Sequence, residues 1–335
     1  MPILEAMSAV NRISTAATAP QSAPAARAVY VPFAVTVADV QPLGASFLRV
    51  TFRGTELHNF AYLGADQRVK LVLPSGETGV ASFPLDTEDW YATWRDLPEP
   101  SRPVLRTYTV RAARPTLGEI DIDFVVHGET GPATRWVLGA GIGDEILVVG
   151  PDLRSIEPGT PAVGGFEFHP GDASRVLLAG DETAVPAICA ILESLPKNAK
   201  GQVFLEVPTE ADILPVNTPG GVTVCWLARD IRPTMERGTI LNRAVRAWVS
   251  EMMPAGRSDE DLAAARQADE LPVVDVDTDM LWEVPDTDAP HDLYSWIAGE
   301  AGCIKELRRF LVRDSGLHRA DVAFMGYWRM GRAEN

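Results

Sequence analysis

The apolar spacing of this 335-residue chain changes character once, between residues 151 and 174. Before that stretch, apolar residues come in short runs rich in Val, Ile, Thr and Phe, at 33–40, 47–52, 68–73, 106–111, 120–126 and 145–149. Gly, Pro and Asp clusters separate the runs, as turns separate strands. Six such strands suit a small closed antiparallel barrel. One helix interrupts them, from Pro132 to about Leu138, with proline at a first helical position that needs no N–H. From Arg175 onward, apolar strands alternate with helices: strands at 176–179, 202–207, 222–227, 294–298 and 322–327, helices at 183–195, 238–249 and 300–312. Strands buried on both faces read as continuous apolar blocks, so this half predicts a doubly wound parallel sheet. The expected fold class is therefore a β barrel plus an α/β domain.

The domains follow. Residues 1–28 are rich in Ala, Ser, Thr and Pro and lack the basic start and apolar core of a signal peptide, so they are expected to be a disordered extension. Residues 29–152 are the barrel, 153–174 a linker, and 175–335 the α/β domain with an acidic insertion at 254–292. Net charge is −16, which argues against nucleic acid and anionic membrane as partners. No apolar run approaches the ~20 residues of a membrane span, so no membrane insertion is expected. Three scattered cysteines, Cys189, Cys225 and Cys303, fit a reducing, cytoplasmic compartment. The five histidines show no ligand spacing, and no metal site is expected.

Four segments carry chemistry. In Arg106-Thr107-Tyr108-Thr109-Val110-Arg111, alternation puts Arg106 and Tyr108 on one side and Thr107, Thr109 and Arg111 on the other. An aromatic surface, a hydroxyl and cations on one strand are what a flavin nucleotide needs for its ring, redox nitrogen and phosphates. Gly131-Pro132-Ala133-Thr134 reads as a helix start whose N–H groups attract phosphate, and His127 ends the strand before it, in reach of flavin or adenine. Gly180-Asp181-Glu182-Thr183 is a strand-to-helix turn at the carboxyl end of the first strand of the α/β half, where dinucleotides dock, with Asp181 and Thr183 also expected to cap the helix. Ala298-Gly299-Glu300 is a second turn of that kind, placed beside a nicotinamide. Arg229, after the strand 222–227, is positioned for the 2′-phosphate of NADPH, although Asp230 points towards NADH.

With Asp123-Phe124-Val125-Val126-His127-Gly128, Leu178-Ala179-Gly180-Asp181-Glu182-Thr183-Ala184-Val185-Pro186, Trp296-Ile297-Ala298-Gly299-Glu300 and Gly326-Tyr327-Trp328-Arg329-Met330-Gly331, these segments stand in an order that resembles the siderophore-interacting protein family. The resemblance runs over about residues 30–335. It implies a barrel that binds FAD non-covalently, an NAD(P)H-binding α/β domain, and reduction of Fe(III) in a ferric siderophore to release Fe(II). Chemistry carried by the cofactor agrees with the lack of any acid–base or nucleophile constellation.

Residues 300–335 carry seven Lys/Arg against five Asp/Glu, while 251–299 carry 13 acidic residues against two basic. Cations expected to meet an anionic ferric siderophore are Arg68 and Lys70 on the barrel, and Lys305, Arg308, Arg309 and Arg329 near the C-terminus. Two other readings share the fold: a flavin reductase with a protein or free-flavin acceptor, and a non-catalytic siderophore binder.

Overall fold

Six strands close into the first layer of the structure: β1 (Tyr30–Pro42), β2 (Phe47–Arg53), β3 (Arg68–Leu73), β4 (Val104–Arg114), β5 (Glu119–Val125) and β6 (Glu145–Pro151). This computed structural model describes residues 29–62, 64–74, 79–85, 87, 89–126, 131–156, 165–252, 281–285 and 292–331. The barrel order is β1-β2-β5-β4-β3-β6, antiparallel throughout. Closure leaves no unpaired edge. Alternate residues point inward, and Val35, Val50, Phe52, Leu71, Val110, Ile122 and Val148 fill the interior. Bulges after Val37 and after Val110 bend β1 and β4 as the barrel curves.

Two helices pack on the barrel. The sequence predicts α2 (Pro132–Gly139); it buries Ala133 and Val137, and Trp136 stacks on Phe52 with centroids 6.1 Å apart. It does not predict α1 (Trp90–Arg95), because six residues are too few to show a 3.6 period. Trp90 and Trp94 of α1 cover Val72, Phe83, Leu147 and Val149 outside the barrel wall.

The second sheet is β7 (Arg175–Gly180), β8 (Lys200–Val207), β9 (Gly221–Ala228), β10 (Trp282–Glu283), β11 (Leu293–Glu300) and β12 (Val322–Trp328), ordered β10-β12-β11-β7-β8-β9. It is parallel except for β10, which pairs antiparallel with β12. Alternation sorts the faces: Val176 and Leu178 pack with α3 (Val185–Ser194), while Leu177 and Ala179 pack with α4 (Thr239–Met252) and α5 (Ala301–Arg308). The helix expected to run on to residue 312 instead passes into a π-helical turn over Arg309–Asp314. Within the acidic stretch 254–292, residues 281–285 supply the edge strand: Leu281 is buried and Trp282 stacks on Tyr327 at 5.8 Å. The extension 1–28 and most of that acidic stretch lie outside the described residues.

Three polar ties join barrel and sheet. Ser46 donates its N–H to Asp212 at 2.6 Å and its hydroxyl at 3.0 Å. Arg111 on β4 forms a two-point pair with Glu193 on α3, both contacts at 2.7 Å. Buried Asp66, just before β3, accepts the N–H groups of Glu167 and Phe168 at 3.0 Å and the indole N–H of Trp296 at 3.1 Å. The last part of the expected linker is thus pinned to both halves.

Candidate functional site at the barrel and the sheet switch point

On β4, Arg106 and Tyr108 share a face with inward-pointing Val110. The Tyr108 ring lies 4.5 Å from Phe124, which in turn lies 6.0 Å from Trp136 on α2. This line of rings joins the strand to the helix start at Gly131. Among the described residues no side chain caps α2, and a Cβ built on Gly131 meets none of their atoms within 4 Å, so the N–H groups of its first turn have no side-chain acceptor there. Ala133 is buried beneath that turn and Thr134 stands half-buried on it. Arg106 donates to its own strand's Leu105 carbonyl at 2.7 Å, and no carboxylate pairs with it among the described residues. On the opposite face, Thr109 is buried and Thr107 accepts from Lys70 at 3.2 Å. His127 lies outside the described residues.

The other half of the site lies where the sheet order reverses. From β7 the chain runs outward to β8 and β9, then returns on the other side as β11, opening a crevice between the carboxyl ends of β7 and β11. Gly180 is paired with Ala298 there. Asp181 Oδ1 accepts from the Thr183 N–H at 2.9 Å and hydroxyl at 2.5 Å, and Oδ2 accepts from the Glu300 N–H at 2.8 Å. Burial, and then the neighbouring Glu182 carboxylate, push the Asp181 carboxyl up to about 6. A Cβ on Gly299, whose φ is +150°, would fall 2.8 Å from that carboxyl. Glycine is needed for the close approach. A small pocket here is lined by Asp181, Arg237, Gly238, Gly299, Glu300 and Cys303.

Several expected roles are corrected. Asp181 and Thr183 do not cap α3, whose cap position is Ala184 with no side-chain bond; Asp181 closes the turn before it. Arg229 does not face outward for a 2′-phosphate. It grips buried Glu182 through two nitrogens at 2.7 and 3.0 Å and reaches Glu206 at 3.3 Å. Glu182, expected at the nicotinamide, is the fully buried partner in this pair. Arg111, expected among the cofactor-binding residues, points to α3 and pairs there with Glu193. Arg68 is half-buried, paired with Glu167 and stacked 4.4 Å over Trp282. Arg308 is buried against Glu283 at 2.5 and 2.9 Å and does not share an open face with Lys305. In each case a long cation found a carboxylate far away in sequence, which no local pattern reveals. Lys70, Lys305 and Arg329 stay half-buried and Arg309 is exposed. Sequence reading missed Asp66, Glu206 and Arg237, which sit in or beside loops without motif character.

Comparison with known proteins decides the family. Residues 36–155 match the siderophore-interacting FAD-binding domain, and residues 173–331 match the siderophore-interacting protein domain. The chain belongs to the siderophore-interacting protein family. It is 30% identical over 289 residues to the ferric vibriobactin reductase ViuB of Vibrio cholerae, covering 86% of each chain. A siderophore utilization protein from T. fusca superposes with a TM-score of 0.62 at 26% identity, over 92% of this chain and 96% of that one. The siderophore-interacting protein SipS from Aeromonas hydrophila superposes at 0.57 with 27% identity, over 91% and 94%. FAD is the cofactor of this family's barrel domain, and the barrel fits it: among the described residues, a helix start that no side chain caps and an arginine that no carboxylate pairs, beside an aromatic strand. Among the described residues no helix is long and apolar enough to cross a membrane.

Proposed function

We propose that this siderophore-interacting protein reduces the ferric iron of a siderophore with electrons from a nicotinamide dinucleotide, by way of FAD, and so releases Fe(II). The observation that carries the reading is the pairing of two places: a helix start at Gly131 that no described side chain caps, beside Arg106 and Tyr108, and a switch-point crevice between Asp181 and Gly299. FAD supplies the conversion between a two-electron donor and a one-electron acceptor. The protein supplies placement. Arg106 and the first turn of α2, at Gly131, Ala133 and Thr134, hold the pyrophosphate; Tyr108, on the same face as Arg106, orients the ring. Gly299 and Ala298 leave room for the nicotinamide at the crevice. Lys70, Lys305 and Arg329 are the cations we assign to an anionic ferric siderophore. Residues 29–152 form the flavin unit and 175–335 the nicotinamide unit. The reaction belongs in the cytoplasm, where reduced nicotinamides are plentiful and thiols such as Cys189 stay reduced.

The test is anaerobic. FAD-loaded protein is mixed with NADH or NADPH while flavin absorbance is followed, then with catecholate and hydroxamate ferric siderophores in the presence of a ferrous chelator. Bleaching by a nicotinamide, followed by recovery with formation of ferrous chelate, is expected. A flavin that is reduced but recovers with no ferric siderophore would overturn the assignment.

A further inference from the structure

Dinucleotide-binding sheets normally hold phosphate on free N–H groups at the helix starts that face the switch-point crevice. Here several of those groups already have partners within the chain, either acid side chains or turn carbonyls. At α3, the Thr183 N–H goes to the Asp181 carboxylate, Ala184 N–H to the Asp181 carbonyl and Val185 N–H to the Glu182 carbonyl, while Pro186 has none. At α4, the N–H groups of Gly238 and Leu241 go to Glu206 at 2.8 and 3.0 Å. At α5, the Cys303 N–H goes to Glu300 at 2.9 Å. The crevice lining therefore presents two carboxylates and one cation, Arg237.

Arg237 is held in an unusual way. It pairs with Glu182 and lies 5.0 Å over the ring of Trp328, and about a fifth of its side chain is exposed. Glu182 does not need it. Arg229 already meets both Glu182 oxygens, and Glu206, the other acid of the cluster, keeps Arg229 and two backbone N–H groups. If Arg237 turns away, each buried carboxylate still has a cation and hydrogen bonds.

We propose that Arg237 is the phosphate anchor of the nicotinamide dinucleotide, and that Glu182 competes with the phosphate for it. This rests on the reductase reading above. The dinucleotide phosphate takes the guanidinium from Glu182, while Arg229 stays behind to neutralise the acid. A planar guanidinium suits a phosphate through two parallel hydrogen bonds.

The experiment uses FAD-loaded protein. Calorimetric Kd values for NAD+ and NADP+, and the KM for NADH and NADPH, are measured for wild type, Arg237→Gln and Glu182→Gln. Arg237→Gln is expected to weaken binding and raise KM by about tenfold or more with kcat little changed. An equal loss for both nucleotides identifies the pyrophosphate; a loss confined to NADP+ and NADPH identifies the 2′-phosphate. Glu182→Gln, which removes the competitor, is expected to tighten binding, an effect that a merely structural pair would not give. Unchanged Kd and KM in Arg237→Gln, or weaker binding in Glu182→Gln with flavin content intact, would overturn the proposal. Failure of the reductase reading itself shows separately, because chemically reduced wild-type protein would then not transfer electrons to any ferric siderophore.

Discussion

The indole N–H of Trp328 donates to Asp181 Oδ2 at 2.8 Å, and the same oxygen takes the Glu300 N–H at 2.8 Å. One carboxylate oxygen thus ties together the carboxyl ends of β7, β11 and β12, the three strands that border the crevice. Among the described residues Asp181 has four donors around it and no cation bonded to it. Donors from the backbone and neutral side chains let a buried carboxylate persist, but they do not fully replace water.

Asp181→Asn keeps the shape and turns one acceptor into a donor, so the new NH2 must face either Thr183 or the Trp328–Glu300 pair. The expected destabilisation is about 1–3 kcal/mol for each buried donor left unpaired. Its pH dependence has a definite sign. The carboxyl sits near 6 in the folded chain and lower when unfolded, so the folded state holds the extra proton. Stability from this group is complete below the unfolded value and is lost as pH rises through about 6. Urea titrations should show the variant losing about 1 kcal/mol more near pH 5 than near pH 7.5, a difference fixed by the pKa shift. A loss independent of pH would mean that Asp181 is not titrating in this window.

Gly299→Ala tests the close approach on which the crevice depends. The added methyl would lie 2.8 Å from the Asp181 carboxyl group, on a backbone at φ +150° that side chains rarely adopt. A loss of about 1–3 kcal/mol is expected from strain and from the displaced carboxylate. Thermal unfolding reports it. Wild-type stability together with wild-type nicotinamide binding would remove Gly299 from the site.

How much of this was legible in the sequence depends on the range of each interaction. The six barrel strands and five parallel strands announced themselves through local period, and the turns at Gly131, Gly180 and Gly299 through glycine at strand ends. The two-residue strand at Trp282 gave no period, and α1 was too short to give one. The roles of Arg111, Arg229 and Arg308 failed for a different reason. An exposed and a buried arginine look alike in sequence, and their partners Glu193, Glu182 and Glu283 lie between 25 and 82 residues away. Buried acids such as Asp66 and Glu206 were invisible for the same reason: their donors are backbone N–H groups brought together only by the fold.

Arg106 and Arg111 sit on one strand, and their variants should separate the flavin face from the face joined to α3. Arg106→Ala is expected to lose about 2–5 kcal/mol of FAD affinity if its phosphate pair is desolvated. Arg111→Ala should leave FAD affinity near wild type and reduce stability by about 1–3 kcal/mol, since Asp123 and Glu193 lose a shared cation. Flavin content after gel filtration and urea midpoints give both readouts. Equal FAD loss in the two variants would sink the separation of faces.

Arg308→Ala asks whether the basic C-terminal segment guides the substrate. The Arg308 side chain is 6% exposed and its partner Glu283 is 17% exposed, so the charge contributes little field outside the protein. Its work is structural, because β10 has only two residues and this pair fastens it to α5. Removal of one partner of a fully buried pair costs about 3–5 kcal/mol. Here Arg319 remains 3.4 Å from Glu283, so a smaller loss, about 2–3 kcal/mol, is expected. The half-buried Lys305 and Arg329 differ, since charges open to solvent can steer an anion and are screened once the Debye length falls to ~3 Å at 1 M salt. The second-order rate of flavin reoxidation by an anionic ferric siderophore, measured across salt, should keep its slope in Arg308→Ala and flatten in a Lys305→Ala/Arg329→Ala double variant. A flattened slope in Arg308→Ala at wild-type stability would return that arginine to the substrate path and leave Glu283 as a partner that it readily gives up.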